Sequence, residues 1–224
     1  MGQQQEFLRR AWSPKALQKT AGFISETVKT SFSFMISRHP LERILSAYRQ
    51  GTHKDNLIIH TSSRDKFFLN GDFAFERRKV DRFYNRYGKD IIAKYRKSKQ
   101  TDPKYKMAPT FREFIEYLVD LPITKFNPHW IPMYLQCMPC HIQYSIIARL
   151  DTLTSDSEHI FKSIEVSAQL PKSHVTQGNT TDNTVASHYA TLSKDLLDKL
   201  LDIYKFDILL FDYNIDEYVS YVKN

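Results

Sequence analysis

Residues 32–50 read FSFMISRHPLERILSAYRQ, and two kinds of periodicity meet inside them. Phe32, Phe34, Met35 and Ile36 form a short apolar run of the kind a buried parallel strand shows. Ser37-Arg38-His39 interrupts it. Pro40 suits the first position of a helix, because it has no N–H to leave unpaired and its φ is already helical. Leu41, Ile44, Leu45 and Tyr48 then recur at i, i+3, i+4 and i+7, which is one apolar helical face. The stretch therefore predicts strand, tight basic loop, helix. In a parallel α/β sheet that junction lies at the carboxyl end of a strand, where ligands bind. The helix mouth beside Arg38 is then a site for an anion.

Working outward, Ser13-Pro14 reads as an N-cap and first-turn proline, and Leu17, Ala21, Ile24 and Val28 share a face. Residues 1–30 are thus a lead-in helix and 31–224 the main domain. Residues 51–74, with Asn70-Gly71-Asp72, predict a surface excursion. Phe75 to Tyr87 has a helical pattern with Gly88 at its C′ position, and a second helix starts there. Thr110-Phe111-Arg112-Glu113 is a capping box, with Phe111, Phe114, Ile115 and Leu118 as the buried face behind it. Ile142, Tyr144, Ile146 and Ile147 predict a strand, Thr154 to about Glu165 a helix, and Ser193 caps a helix through Leu196, Leu197, Leu200 and Ile203. The fold class expected is α/β: a P-loop-like three-layer domain with a small parallel sheet flanked by helices.

Composition narrows the partners. The 224 residues are 42% hydrophobic and 13% aromatic, enough for a real core, and no stretch approaches the apolar length of a membrane span. The formal charge is +7, but residues 77–106 alone carry twelve Lys/Arg against three Asp, so the rest of the chain is slightly acidic. A basic balance confined to one segment points to a polyanion. Nucleic acid is disfavoured, because that segment contains no DNA-binding motif. Cys137 and Cys140, in Cys-Met-Pro-Cys, are the only cysteines, too few for a four-cysteine zinc site, and no metal is expected. They read as a tight structural disulfide or two buried thiols rather than as a redox centre. Asn179-Thr180-Thr181 is a glycosylation sequon.

Four blocks carry a resemblance to a known family. Arg38, Pro40, Arg43 and Ser46-Ala47-Tyr48 resemble the 3′-phosphate-binding motif of the Golgi carbohydrate sulfotransferases, the group of the chondroitin and dermatan 4-sulfotransferases. GKDIIAKYRK (88–97) is similar to that family's Tyr-Gly, Ile and Lys-Tyr-Arg block. NPHWIPMYLQCMPCHIQYSIIARLDT (127–152) resembles its His-Trp-x-Pro, Cys-x-Pro-Cys, Tyr and Glu-Thr run, with Asp151 in place of Glu. YKFDILLFDY (204–213) is similar to its closing signature, with Asp212 in place of Gly.

The resemblance implies an enzyme that transfers a sulfuryl group from 3′-phosphoadenosine 5′-phosphosulfate (PAPS) to a hydroxyl of a glycosaminoglycan or glycoprotein glycan. Arg38 and Ser46 would hold the 3′-phosphate. Ser46 lies about 9 Å of helix rise beyond Pro40, so that phosphate would run alongside the helix. His39 would position the donor, and Lys94 and Arg96 would contact donor or acceptor or form a solvated basic face. The alternative for Arg38 is an i, i+4 ion pair with Glu42. Sulfuryl transfer also needs a base for the acceptor hydroxyl, and His129 is the candidate; the competing reading has His129 and Trp130 docking their loop on the core. His53, His60, His141 and His159 read as surface or core histidines, and His174 and His188 have no partner legible in the sequence.

Relatives of this kind carry, upstream of the first block, a strand and a loop of the type Pro-Lys-Val-Gly/Ala-Cys/Ser-Thr for the 5′-phosphosulfate, preceded by a membrane anchor. Lys15 to Thr20 has Lys and Thr but no preceding strand and no suitably placed turn residue, so loop and anchor are expected to be missing. The parent is expected at the Golgi membrane, on the lumenal side. The rival expectation is an inactive remnant that binds polyanions.

Overall fold

Pro40 opens a helix as its fixed φ predicts. The computed structural model describes residues 30–52, 83–97, 108–168 and 182–222. The lead-in helix, Lys15 to Thr20, His53, His60, the excursion over 51–74 beyond Thr52, most of the basic segment, the sequon and His174 lie outside them. By its internal contacts the chain divides into two units, residues 1–38 with 133–175 and residues 39–132 with 176–224.

The first unit holds the sheet. Strand β1 (Phe34–Ser37) pairs in parallel with β2 (Ile146–Arg149), Phe34 opposite Ile146 and Ser37 opposite Arg149. This is the parallel pairing expected of an α/β protein, and among the described residues the sheet has these two strands. β1 starts two residues later than the apolar run and takes in Ser37. Ser37 is polar and fully buried, and it remains in the ladder because its Oγ donates to the Ala148 carbonyl at 3.2 Å. Only alternate positions are sequestered: Met35 is 6% exposed, Phe34 46% and Ile36 39%. An unbroken apolar run does not distinguish burial on one face from burial on two.

The second strand also sits later than expected. Helix α4 (Met133–Cys137) ends at Met138, which has φ 49°, and Tyr144 Oη donates to the Cys137 carbonyl at 2.9 Å. That turn and tether hold residues 138–145 out of the ladder. Helix α5 (Leu153–Ser163) follows β2 where a helix was expected, one residue earlier at its start.

The second unit is helical: α1 (Pro40–Thr52), α2 (Lys89–Tyr95), α3 (Phe111–Asp120), α6 (Asp182–Tyr189), α7 (Lys194–Leu210) and α8 (Asp216–Tyr221). Its core is the meeting of three apolar stripes, those of α1 and α3 as read from the sequence and that of α7 with Tyr204 buried where Ile203 was expected. Leu41, Ile44, Leu45 and Tyr48 of α1 pack with Phe111, Phe114, Ile115 and Leu118 of α3 and with Leu196, Leu197, Leu200 and Tyr204 of α7. Each aliphatic side chain so buried contributes about 1.5–3 kcal/mol relative to exposure. The capping box forms: Thr110 Oγ1 accepts from Glu113 N at 3.2 Å, and Glu113 Oε2 accepts from Thr110 N at 2.7 Å. Ser193 stands at the N-cap of α7, without a side-chain capping bond.

Gly88 corrects one expectation. It does not end a helix. Its φ is −59°, and the chain runs through a π turn (Tyr84–Gly88) straight into α2. The glycine is used for space: a Cβ there would lie 3.1 Å from Tyr84 Cδ2 and 3.5 Å from Pro109 Cδ. One position that does adopt left-handed backbone is Asp212, φ 53°, just past α7, where Tyr213 N closes back on the Ile208 carbonyl at 3.0 Å. Glycine adopts that conformation without strain, and Asp is among the few residues that tolerate it.

Candidate functional site

The loop 127–131, Asn-Pro-His-Trp-Ile, is held from three sides of the helical unit. Arg43, on α1, donates from Nη1 to the Ile131 carbonyl at 2.6 Å and from Nη2 to the Pro128 carbonyl at 2.8 Å. Tyr204, buried in α7, donates to the Trp130 carbonyl. Asn127 Nδ2 donates to Tyr87 Oη at 2.8 Å. Trp130 is 3% exposed and packs edge-on against Tyr87 and Phe114, with ring centroids 5.1 and 5.5 Å apart. Pro128 and His129 are exposed at the loop's tip. The docking role expected as the alternative for the pair falls to Trp130, while His129 is presented to solvent.

The protonation of His129 follows from its neighbours. Its backbone N–H donates to Asn127 Oδ1 at 2.9 Å, and its Nδ1 lies 2.5 Å from the same oxygen. A backbone N–H can only donate, so the Asn127 atom it meets is the amide oxygen. An amide oxygen only accepts, so Nδ1 carries a proton. The neutral ring then has its lone pair on Nε2. Partial desolvation, with the Arg43 and Arg86 charges, holds the imidazole pKa below its ordinary value. A neutral imidazole with a free Nε2 is what a general base requires.

His39 is differently placed. Leu41 N–H donates to its Nδ1 at 3.2 Å, which makes Nε2 the protonated nitrogen, and Nε2 donates to the Asn214 carbonyl at 3.0 Å. The ring stacks on Tyr218 at 4.7 Å. The Leu41 amide at the helix mouth is therefore already satisfied. Arg38 and Ser46 are both half-buried, Arg38 at the end of the first unit and Ser46 on α1 of the second. The Ser46 hydroxyl has no hydrogen-bond partner among the described residues.

Arg96, at the end of α2, is committed within the fold. It grips Glu113 with Nε and Nη2, both at 2.9 Å, and Nη2 also reaches the Ala108 carbonyl at 2.9 Å. Burial pushes the Glu113 carboxyl up, but the Arg96 and Thr110 hydrogen bonds outweigh it and hold the pKa below its usual value. Lys94 pairs with Asp120 at 3.1 Å on the surface. His188 donates from Nδ1 to the Thr184 carbonyl at 2.6 Å and packs edge-on against Tyr48 and Phe111. Cys137 and Cys140 are not bonded to one another.

Sequence reading offered His129 as the candidate base and missed what orients it. Asn127 carried a signal, the i, i+2 spacing at which Asn side chains bond the following backbone. Arg43, quoted as part of the first block, gave no sign of its contact with the second. Among the described residues no helix is long and apolar enough to cross a membrane.

Comparison with known proteins gives one consistent result. A family described as "Sulfotransferase family" matches residues 2–214. The chain is 30% identical to carbohydrate sulfotransferase 11 of Rattus norvegicus over 203 residues, 88% of this chain and 51% of that protein. It is 31% identical to carbohydrate sulfotransferase 14 of Danio rerio, over 85% of this chain and 46% of that protein. Carbohydrate sulfotransferase 10 of Rattus norvegicus is 27% identical over 88% of this chain. The chain thus spans about half the length of the curated relatives it matches. No solved structure matches it.

Proposed function

The chain belongs to the sulfotransferase family, and on that premise we propose that it serves a PAPS-dependent transfer of sulfate to a hydroxyl of a glycosaminoglycan or related glycan. The parallel pair β1–β2 is the part of a P-loop-like α/β sheet that these residues supply. The relatives' names support a carbohydrate acceptor. The Golgi lumen is the compartment in which such glycans are sulfated.

Sulfuryl transfer leaves the protein little covalent work, so positioning and charge stabilisation carry it. The donor supplies the sulfuryl group. Arg38 and Ser46 hold its 3′-phosphate, and a Ser46 hydroxyl without a hydrogen-bond partner among the described residues fits that duty. Arg96 and His39 act from beneath: one fixes the start of α3 through Glu113, the other the first turn of α1 through the Leu41 amide. His129 Nε2 takes the proton of the acceptor hydroxyl. The hydroxyl oxygen bonds to sulfur, the bond from sulfur to the 5′-phosphate oxygen breaks, and that oxygen keeps the electron pair.

The observation that carries this reading is His129, in its family block, with Nδ1 tied and Nε2 left as the basic nitrogen. Calorimetry with adenosine 3′,5′-bisphosphate and with the 5′-monophosphate tests the donor assignment. The bisphosphate binds more tightly, and Arg38→Ala removes most of the difference. Equal affinity for the two nucleotides overturns it.

A further inference from the structure

We infer that Asn127 is a positioning residue for the reaction: it locks His129 in the Nδ1–H tautomer, so that the proton of the acceptor hydroxyl is taken at Nε2. This rests on the reading of His129 as the base and adds what makes it one. A histidine in water exchanges between two neutral tautomers, and only one of them leaves the lone pair on Nε2.

Asn127 Oδ1 accepts from the His129 backbone N–H at 2.9 Å and from Nδ1 at 2.5 Å, and one oxygen cannot do both unless Nδ1 is protonated. The amide is itself prevented from turning over, because its Nδ2 donates to Tyr87 Oη at 2.8 Å. Flipping it would set an NH2 group against a backbone N–H. Tyr87 is in turn packed against Trp130 and Phe83, at 5.1 and 5.6 Å between centroids. The orientation of the base thus passes from the aromatic core, through Tyr87 and Asn127, to an exposed imidazole. The charged groups acting on the ring, Arg43 from α1 and Arg86 from the π turn, oppose a second proton. They do not choose between the tautomers; Asn127 does.

The test is nitrogen-15 NMR of the histidine-labelled protein, which reads the tautomer without turnover, set beside kinetics with radiolabelled PAPS and chondroitin. In the wild type the neutral ring of His129 shows Nδ1 protonated. Asn127→Ala moves most of the population to Nε2–H and lowers kcat by about tenfold or more with KM little changed. Asn127→Asp, which keeps an acceptor oxygen, retains the Nδ1–H form and most of kcat. Nε2–H in the wild type, or an unchanged tautomer in Asn127→Ala, overturns the inference. So does a displaced tautomer with unchanged kcat while His129→Ala abolishes transfer. Undiminished transfer by His129→Ala instead overturns the base assignment, and the spectra identify that case separately.

Discussion

Arg43 Nη1 lies 2.6 Å from the carbonyl oxygen of Ile131, eighty-eight residues away in the chain. Its other terminal nitrogen takes the Pro128 carbonyl, so one planar guanidinium spans both ends of the turn that carries His129. The helix opened by Pro40 and the Asn-Pro-His-Trp loop are two motifs in sequence and one hydrogen-bonded assembly in the fold.

Arg43→Ala leaves both carbonyls without their donor. The expected destabilisation in urea unfolding is about 3 kcal/mol, the order of two hydrogen bonds to a charged group. Arg43→Lys recovers less than half of it, because an ammonium cannot fork between two acceptors. A loss below about 1 kcal/mol for Arg43→Ala would show that the clamp is incidental.

The Arg96–Glu113 pair sets a response to acid. Glu113 has a lowered pKa in the folded state, so it takes up a proton more readily once unfolded. Its contribution to stability is present above the unfolded value of about 4.3 and is lost as pH falls through the folded value. Arg96→Ala leaves a buried carboxylate unpaired and costs about 3–5 kcal/mol at neutral pH. The variant's unfolding free energy should depend less on pH in the acid range than the wild type's. Parallel curves would rule the pair out as the cause.

On the proposed reading His129 acts when neutral, and partial desolvation with the Arg43 and Arg86 charges holds its pKa below the ordinary value. The acid limb of kcat/KM is therefore expected below about pH 6.5, with activity lost as pH falls through it. Arg86→Gln removes one of the cations opposing protonation and should move that limb upward. A limb that stays in place, or moves down, would separate Arg86 from the base.

Asp212 holds the left-handed position that closes α7. Asp212→Gly should raise stability by about 0.5–1 kcal/mol in urea unfolding, because glycine carries no Cβ strain there. A destabilised variant would show that the Asp212 side chain contributes more than its backbone costs.

Much of this was legible from spacing. The faces of α1, α3 and α7, the capping box at Thr110 and the strand before Arg38 follow from apolar periodicity and cap chemistry, both properties of neighbouring residues. What escaped was tertiary. Gly88 read as a helix end because a glycine after a helical run often is one; the reason for it here, room against Tyr84 and Pro109, depends on residues brought close by folding. Ile142 and Tyr144 read as strand because both suit strands, but the Tyr144 hydroxyl is tethered to Cys137. Arg96 read as a donor or acceptor contact or as part of a solvated basic face, because a charge pattern does not reveal that Glu113, seventeen residues on, bonds its guanidinium. His129 was singled out as a candidate by residue type and motif, whereas its tautomer needed the Asn127 oxygen in place.

The measurement that bears most directly on the central claim is transfer of radiolabelled sulfate from PAPS to chondroitin, by the protein expressed from its complete reading frame, with His129→Ala in parallel. The account predicts label in the polysaccharide for the wild type and a rate at least about a hundredfold lower for His129→Ala, with bisphosphate binding retained. No transfer by a wild type that binds the bisphosphate, or undiminished transfer by His129→Ala, would contradict it.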